Sequence, residues 1–359
     1  MRALLLEGSP RERGRQHGET LRSEIGEAIT RWSGLMEGRG RNAGRRIAAL
    51  MTRSPDLAAM ERRCPALLEE IRGIADGAGQ PFELILALNL MDEEWWFEDD
   101  EDTGCSLVAG RADAHSPPIL AQNMDLPVWM DGLQALLRIR DEGEDAASER
   151  VVLSAAGMIG LAGMRMGGVA VGVNTLLQLP RSVRGLPVAF IVRAVLEQSD
   201  AEAAVGFLAA VPHASGQHYA IADGDGVFGI ECSAKGAVLR RFARNEWLLH
   251  TNHPLWSDPG DVLAPEEVGI AGVRLQSSQQ RLVSLEAFAA FDGTAEGMRA
   301  TLADPGSGVY LVASPECPTS TFGSVEFCPA RGTARVLPGG RSGGGEWIEI
   351  RVRESERVA

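Results

Sequence analysis

The chain has 359 residues, 45% of them hydrophobic, and its 49 acidic against 35 basic side chains leave a formal charge of −14. That length admits two average domains or one large one with a sizeable core. The charge excludes a general nucleic-acid binder, which needs a basic stripe, and argues against anionic membranes.

Residues 1–104 read as mostly helical. The spacing predicts a helix over 15–34, with Leu21, Ile25, Ile29 and Trp32 on one stripe, and another over 56–77, where Pro65 must start or kink a turn. Pro81 suits the first turn of a third helix. Residues 92–102 then carry eight acids in eleven positions around Trp95, Trp96 and Phe97. Such a run is a solvated loop by composition, and it leads straight into Thr103-Gly104-Cys105. Beyond Cys105, short apolar runs between Gly, Pro and Asp turns predict strands at 106–110, 118–122, 133–139, 151–155 and 168–173. A helix pair is expected over 187–197 and 201–210, then strands at 217–222, 227–232, 237–242 and 246–251. Helices over 273–290 and 294–302 precede final strands at 321–327, 333–337 and 346–352. This order implies an α+β fold of two packed sheets with helices outside. The glycine-rich 163–172 lacks the helix and lysine of a phosphate-binding loop and reads as a tight hairpin; 339–345 reads as another hairpin or loop.

No stretch approaches the roughly 18–20 apolar residues of a membrane span. The start, Met1 to Glu7, has too short an apolar run for a secretory signal, so a cytoplasmic protein with reduced thiols is expected. The five cysteines (Cys64, Cys105, Cys232, Cys317, Cys328) are odd in number and form no CxxC pair, which indicates neither a disulfide framework nor a thiolate zinc site. His250, His253 and Asp258 lack a further ligand at metal spacing. No metal or cofactor is expected.

Cys105 stands apart because Gly104 precedes it. The thiol can attack the Gly104 carbonyl, move the acyl group to sulfur and let water complete the cut, leaving Cys105 with a free α-amine. Such an amine has a pKa of about 7.7–8.0, well placed to accept a proton at neutral pH. A thiol with a pKa near about 8.5 yields its proton readily to that base. One residue then supplies both nucleophile and base.

Several short motifs in order resemble the acyl-coenzyme A:6-aminopenicillanic acid acyltransferase family of N-terminal-nucleophile hydrolases, and more distantly bile salt hydrolases and penicillin V acylases. They are Gly14-Arg15-Gln16-His17-Gly18, Gly104-Cys105, Ala121-Gln122-Asn123-Met124-Asp125, Gly172-Val173-Asn174-Thr175 and Thr251-Asn252-His253. The resemblance implies a four-layer αββα sandwich. It also implies self-cleavage into a small subunit, 1–104, and a catalytic segment, 105–359, that remain one globular unit. The substrate would be a small N-acyl amide, with an acyl-thioester donor in the acyltransferase case. The shared intermediate would be an acyl-Cys105 thioester. Carried over, Cys105 is the nucleophile, Asp125 holds its amine, and Asn252 and Asn174 donate to the oxyanion. The sequence departs from the family in having Ser106 after the cysteine, where threonine is common. Gln122 stands where bile salt hydrolases carry arginine. A Ser-Arg pair expected near 316–321 is absent, the chain reading Glu316-Cys317-Pro318-Thr319-Ser320-Thr321.

The plainer alternatives are a core thiol at Cys105, turn roles for Asp125, Asn174 and Asn252, a packing histidine at His17, and four inert thiols elsewhere. The absent pair also leaves open an uncleaved, catalytically inactive relative acting as a binding or scaffold protein. A thiol protease of another fold would need His250 or His253 beside Cys105.

Overall fold

A computed structural model describes all residues except 54–56, 96–103, 112–114, 145–147, 269–271, 315–316, 341–344 and 352–359. Most of the acidic run 92–102 and part of 339–345 lie outside the described residues. The chain opens not with a helix but with strand β1 (Arg2–Glu7), which buries Leu4 and Leu6 in alternation. Three successive leucines mask that period of two in the sequence. The expected helix over 15–34 is two helices, α1 (Pro10–Thr20) and α2 (Arg22–Gly38), broken at Leu21. Ser9 and Glu12 close a capping box at the start of α1. Helices α3 (Ala43–Arg53), α4 (Leu57–Arg63) and α5 (Pro65–Ala78) follow; Pro65 opens α5, and Gly79 ends it in the left-handed region at φ +69°. Two short helices, α6 (Phe82–Leu88) and α7 (Met91–Trp95), lead toward the junction.

Helices α1 and α5 meet backbone to backbone through Gly14, Gly18, Gly73 and Gly77. A Cβ on Gly14 would lie 1.9 Å from the Glu70 carbonyl oxygen, and one on Gly77 would lie 2.3 Å from that of Arg15. The early glycine motif is therefore a packing seam. His17 sits within it, buried, its Nε2 accepting the Gly157 N–H at 3.1 Å, and burial pulls its pKa down to about 4. Either Gly14→Ala or Gly77→Ala is expected to cost about 3 kcal/mol by prying the helices apart. Urea unfolding with an unchanged midpoint in both variants would refute the seam.

Beyond the helices, an eight-stranded sheet runs β1-β4-β5-β6-β7-β8-β9-β10. Its members after β1 are β4 (Gln134–Arg140), β5 (Arg150–Ala155), β6 (Ala162–Arg165), β7 (Ala170–Thr175), β8 (Gln217–Ala222), β9 (Val227–Ser233) and β10 (Gly236–Phe242). β1 joins β4 in parallel, and the remaining pairs are antiparallel. β6 and β7 form the hairpin expected over 163–172.

The second sheet has six strands, ordered β11-β2-β3-β12-β13-β14. They are β2 (Gly104–Gly110), β3 (Ile119–Pro127), β11 (Leu248–His250), β12 (Thr319–Cys328), β13 (Thr333–Pro338) and β14 (Ile348–Arg351). Helices α8 (Val188–Val195) and α9 (Ala201–Ala210) cover the larger sheet, while α10 (Gly272–Phe291) and α11 (Ala295–Ala303) cover the smaller one. The result is the four-layer αββα sandwich.

Strand β2 shows how the layers sort side chains. Cys105, Leu107 and Ala109 face the inter-sheet core, whereas Val108 packs with Leu285 and Phe288 of α10. Among the described residues, no helix is long and apolar enough to cross a membrane.

Candidate active site

Strand pairing alone brings the predicted junction to the predicted aspartate. β2 and β3 run antiparallel with Gly104 opposite Asp125 and Cys105 opposite Met124. The Cys105 thiol points between the sheets, 3.4 Å from the Met124 sulfur and 6% exposed. Burial, reinforced by the Asp125 charge, pushes its pKa up to about 12 despite Arg281 nearby. The thiol therefore needs a base.

Asp125 is fully buried. Its Oδ1 accepts the Thr321 hydroxyl at 2.7 Å, while its Oδ2 has no partner among the described residues. That orphan oxygen lies 3.1 Å from where a Cβ on Gly104 would stand, so glycine fits the junction and a larger residue would crowd the carboxylate. Burial pushes the Asp125 carboxyl up to about 6, against the opposing pull of Arg281 and Thr321.

The backbone of Cys105 is gripped at both ends. Asn252, just after β11, accepts the Cys105 N–H on Oδ1 at 2.7 Å and donates from Nδ2 to the Thr175 carbonyl at 3.1 Å. Asn174 on β7 donates to the Cys105 carbonyl at 3.0 Å, and Arg281 Nη1 donates to the same oxygen at 2.8 Å. Cys105, Asp125, Asn174 and Asn252 are thus brought together. The hydrogen bonds of the two asparagines differ from expectation, since in the intact chain both hold the backbone of Cys105. Gln122 ties the sheets together beside them, its amide bonding both the N–H and the carbonyl of Val173.

Arg281 is the residue that sequence reasoning missed. It also donates to Ser106 Oγ and to Asn252 Oδ1, each at 3.0 Å. The signal was present: Ser278, Arg281, Leu285 and Phe288 form the buried stripe of α10, and an arginine on such a stripe needs a reason. Ser278 accepts the Asn252 N–H at 2.8 Å. Arg281 of α10 is thus a cation beside Cys105, and Thr321 of the segment 316–321 secures Asp125. The thiol-protease reading loses its requirement. His250 bonds the Thr251 carbonyl and Glu231, His253 bonds Ser278, and neither is bonded to the Cys105 thiol.

A pocket opens at the thiol. Its wall is largely apolar, with Met91, Met124, Met130 and Met158 prominent and Asp92, Asp125 and Asn252 among the polar members. Asp92 accepts hydrogen bonds from Thr175 and Gln217, and burial pushes its carboxyl above the ordinary range.

The family model for acyl-coenzyme A:6-aminopenicillanic acid acyl-transferase matches residues 116–328, more than half of the chain. The chain belongs to this family. The match takes in Asp125, Asn174, Asn252 and Arg281 and begins after Cys105. Among its relatives is the acyl-coenzyme A:6-aminopenicillanic-acid-acyltransferase 40 kDa form of Emericella nidulans, 27% identical over 250 residues, which are 69% of this chain and 68% of that protein. A solved structure of a Caenorhabditis elegans N-acylethanolamine-hydrolyzing acid amidase ortholog has a TM-score of 0.44 at 16% identity, covering 63% of this chain and 93% of that one. A conjugated bile acid hydrolase variant from Clostridium perfringens has a TM-score of 0.45 at 13% identity, covering 69% and 92%. As a member of the acyltransferase family the chain is an enzyme of amide hydrolysis or N-acyl transfer.

Proposed function

We propose that the chain cuts its own Gly104–Cys105 bond and then cleaves or exchanges the amide of a small apolar N-acyl compound through an acyl-Cys105 thioester. The observation that carries this reading is the grip on Cys105: acceptor Asn252 on its nitrogen, donors Asn174 and Arg281 on its carbonyl, and the unpartnered Asp125 oxygen beside Gly104. In the first cut the thiol proton passes to a base and sulfur attacks the Gly104 carbonyl carbon. The carbon–nitrogen bond then breaks as the Cys105 nitrogen takes a proton. Water hydrolyses the resulting thioester, leaving a Gly104 carboxylate and a free α-amine on Cys105.

Asp125 is assigned as the base for that cut, because its raised pKa makes it a stronger proton acceptor than an ordinary carboxylate. Once the α-amine is free it becomes the base, and the Asp125 Oδ2 and Asn252 Oδ1 are the acceptors that hold it. Asn252 borders the pocket and is assigned the oxyanion, its Nδ2 turning from Thr175 as the acyl group arrives. Asn174 and Arg281 keep the nucleophile's backbone in place. The methionine-rich wall suits an apolar acyl group, since thioether side chains are polarizable and adapt their shape. Whether water or an amine enters behind it selects hydrolysis or transfer. The inactive-scaffold alternative rested on the missing Ser-Arg pair, and Arg281 is a cation beside Cys105 without that pair.

Intact-mass measurement of the purified chain tests the reading. The pH dependence of self-cleavage tests the base. Burial favours the neutral form of Asp125, so the carboxylate is present above about pH 6 and lost below it. Self-cleavage is expected to slow about tenfold for each pH unit below that point. A rate that stays level well into acid would exclude Asp125 as the base.

A further inference from the structure

Behind Asn174 lies a buried group of side chains that the reaction scheme does not use. His218 of β8 places Nδ1 2.9 Å from Asn174 Oδ1, and its ring stacks on His250 with centroids 3.7 Å apart and planes 5° from parallel. His250 in turn reaches Glu231 of β9 at 3.0 Å. Trp256 stands edge-on to both rings at 5.2 Å. His218, His250 and Glu231 are each no more than 1% exposed.

Hydrogen-bond logic fixes the protons of this group. A carbonyl oxygen can only accept, so the amide of Asn174 must turn its NH2 toward the Cys105 carbonyl and its oxygen toward His218. His218 must then donate from Nδ1. Its Nε2 has no partner among the described residues and carries no proton. Glu231 accepts the N–H groups of Leu255, Trp256 and Ser257 and the Ser257 hydroxyl. Against the cost of burial, these donors and His250 hold its carboxyl down to about 2. His250 faces two acceptors, the Glu231 carboxylate at Nε2 and the Thr251 carbonyl at Nδ1. Burial, and then the neighbouring His250, lower the His218 pKa well below its ordinary value.

We infer that His218, held by stacking on His250 and donating from Nδ1 to the Asn174 oxygen, is a positioning residue that orients Asn174 toward Cys105. The inference rests on reading Cys105 as the nucleophile, since orientation of its carbonyl matters only if the residue reacts. The chain of contacts runs Glu231, His250, His218, Asn174, Cys105, and it couples the larger sheet to the reacting residue of the smaller one. Without the His218 donor, the Asn174 oxygen is left without a partner and the amide loses one of the contacts that set its orientation. When flipped, it would set oxygen against oxygen at Cys105.

Two measurements test this. Imidazole ¹⁵N NMR of histidine-labelled full-length protein at neutral pH is expected to show His218 protonated at Nδ1 alone. A His218 proton on Nε2 would overturn the inference, whatever the state of self-cleavage. Self-cleavage of the full chain supplies the second arm. His218→Gln, which loses the donor at the Nδ1 position, should slow it about 10- to 100-fold, as loss of an orienting partner does elsewhere. His218→Asn, which can restore a donor there, should recover most of the rate. His218→Gln cleaving at the parental rate would sink the idea. If His218→Gln does not fold, the NMR of the parental protein decides alone. Failure of the nucleophile reading is seen separately, as an unsubstituted chain that never cleaves.

Discussion

Purified full-length protein is expected to resolve by mass into residues 1–104 and 105–359, and Cys105→Ala to persist as one chain without amide turnover. The thiol is the sole atom assigned to attack carbon in either reaction, so no residual pathway through the same intermediate survives its removal. Loss of a nucleophile from a site of this kind lowers the rate on the order of 10⁴- to 10⁶-fold, which for self-cleavage means an intact chain over any practical incubation. Because Cys105 faces the inter-sheet core beside Met124, the smaller alanine leaves the layers in register. The variant should therefore fold and give a clean comparison. An unsubstituted chain that remains whole, with Cys105→Ala turning over amides as well as the parent, would end the proposal.

Substitution of Arg281 is expected to have the next largest effect. Its guanidinium reaches the Cys105 carbonyl, Ser106 and Asn252 at once while its charge lowers the pKa of Asp125. Arg281→Met leaves that carbonyl with Asn174 alone and strips Asp125 of its compensating cation. Asp125 then holds its proton more firmly, and the acid limb of self-cleavage should move above about pH 6. The rate at neutral pH should fall about 10²- to 10³-fold, the usual consequence of losing one preorganised donor. Unfolding measurements should show a loss of stability from the hydrogen bonds removed around Cys105. Arg281→Lys should rescue little, since an ammonium cannot span three acceptors in a plane. A time course of fragment appearance across pH checks all of this. An unmoved limb would show that Arg281 does not act on Asp125.

The layers and most elements were legible in the sequence because β2, β3, β8 and α9 carry strong patterns bounded by glycine, proline and aspartate. The site was legible in part for a different reason. Cys105 and Asp125 lie on adjacent antiparallel strands, so their proximity follows from local chain order. Arg281 was not legible, because it reaches the same atoms from a helix 176 positions away, and nothing local says which surface that helix covers. Strand β1 was hidden by its own composition, since consecutive leucines fit a helix as well as a strand. The direction of the asparagine hydrogen bonds was beyond any sequence pattern. It depends on which neighbouring atoms are carbonyls, and the packing of two sheets decides that.

The parallel ladder of β1 on β4, registered from Arg2 opposite Ala135 to Glu7 opposite Arg140, gives a cut at residue 104 a particular meaning. The piece released covalently still supplies an outer strand of the larger sheet and the fully enclosed Ile71, Ile74, Ile85 and Leu86. Scission would thus turn one chain into two without removing these contacts. Once such a molecule is unfolded, its two halves diffuse as separate bodies, and regaining the native state becomes an encounter that slows with dilution.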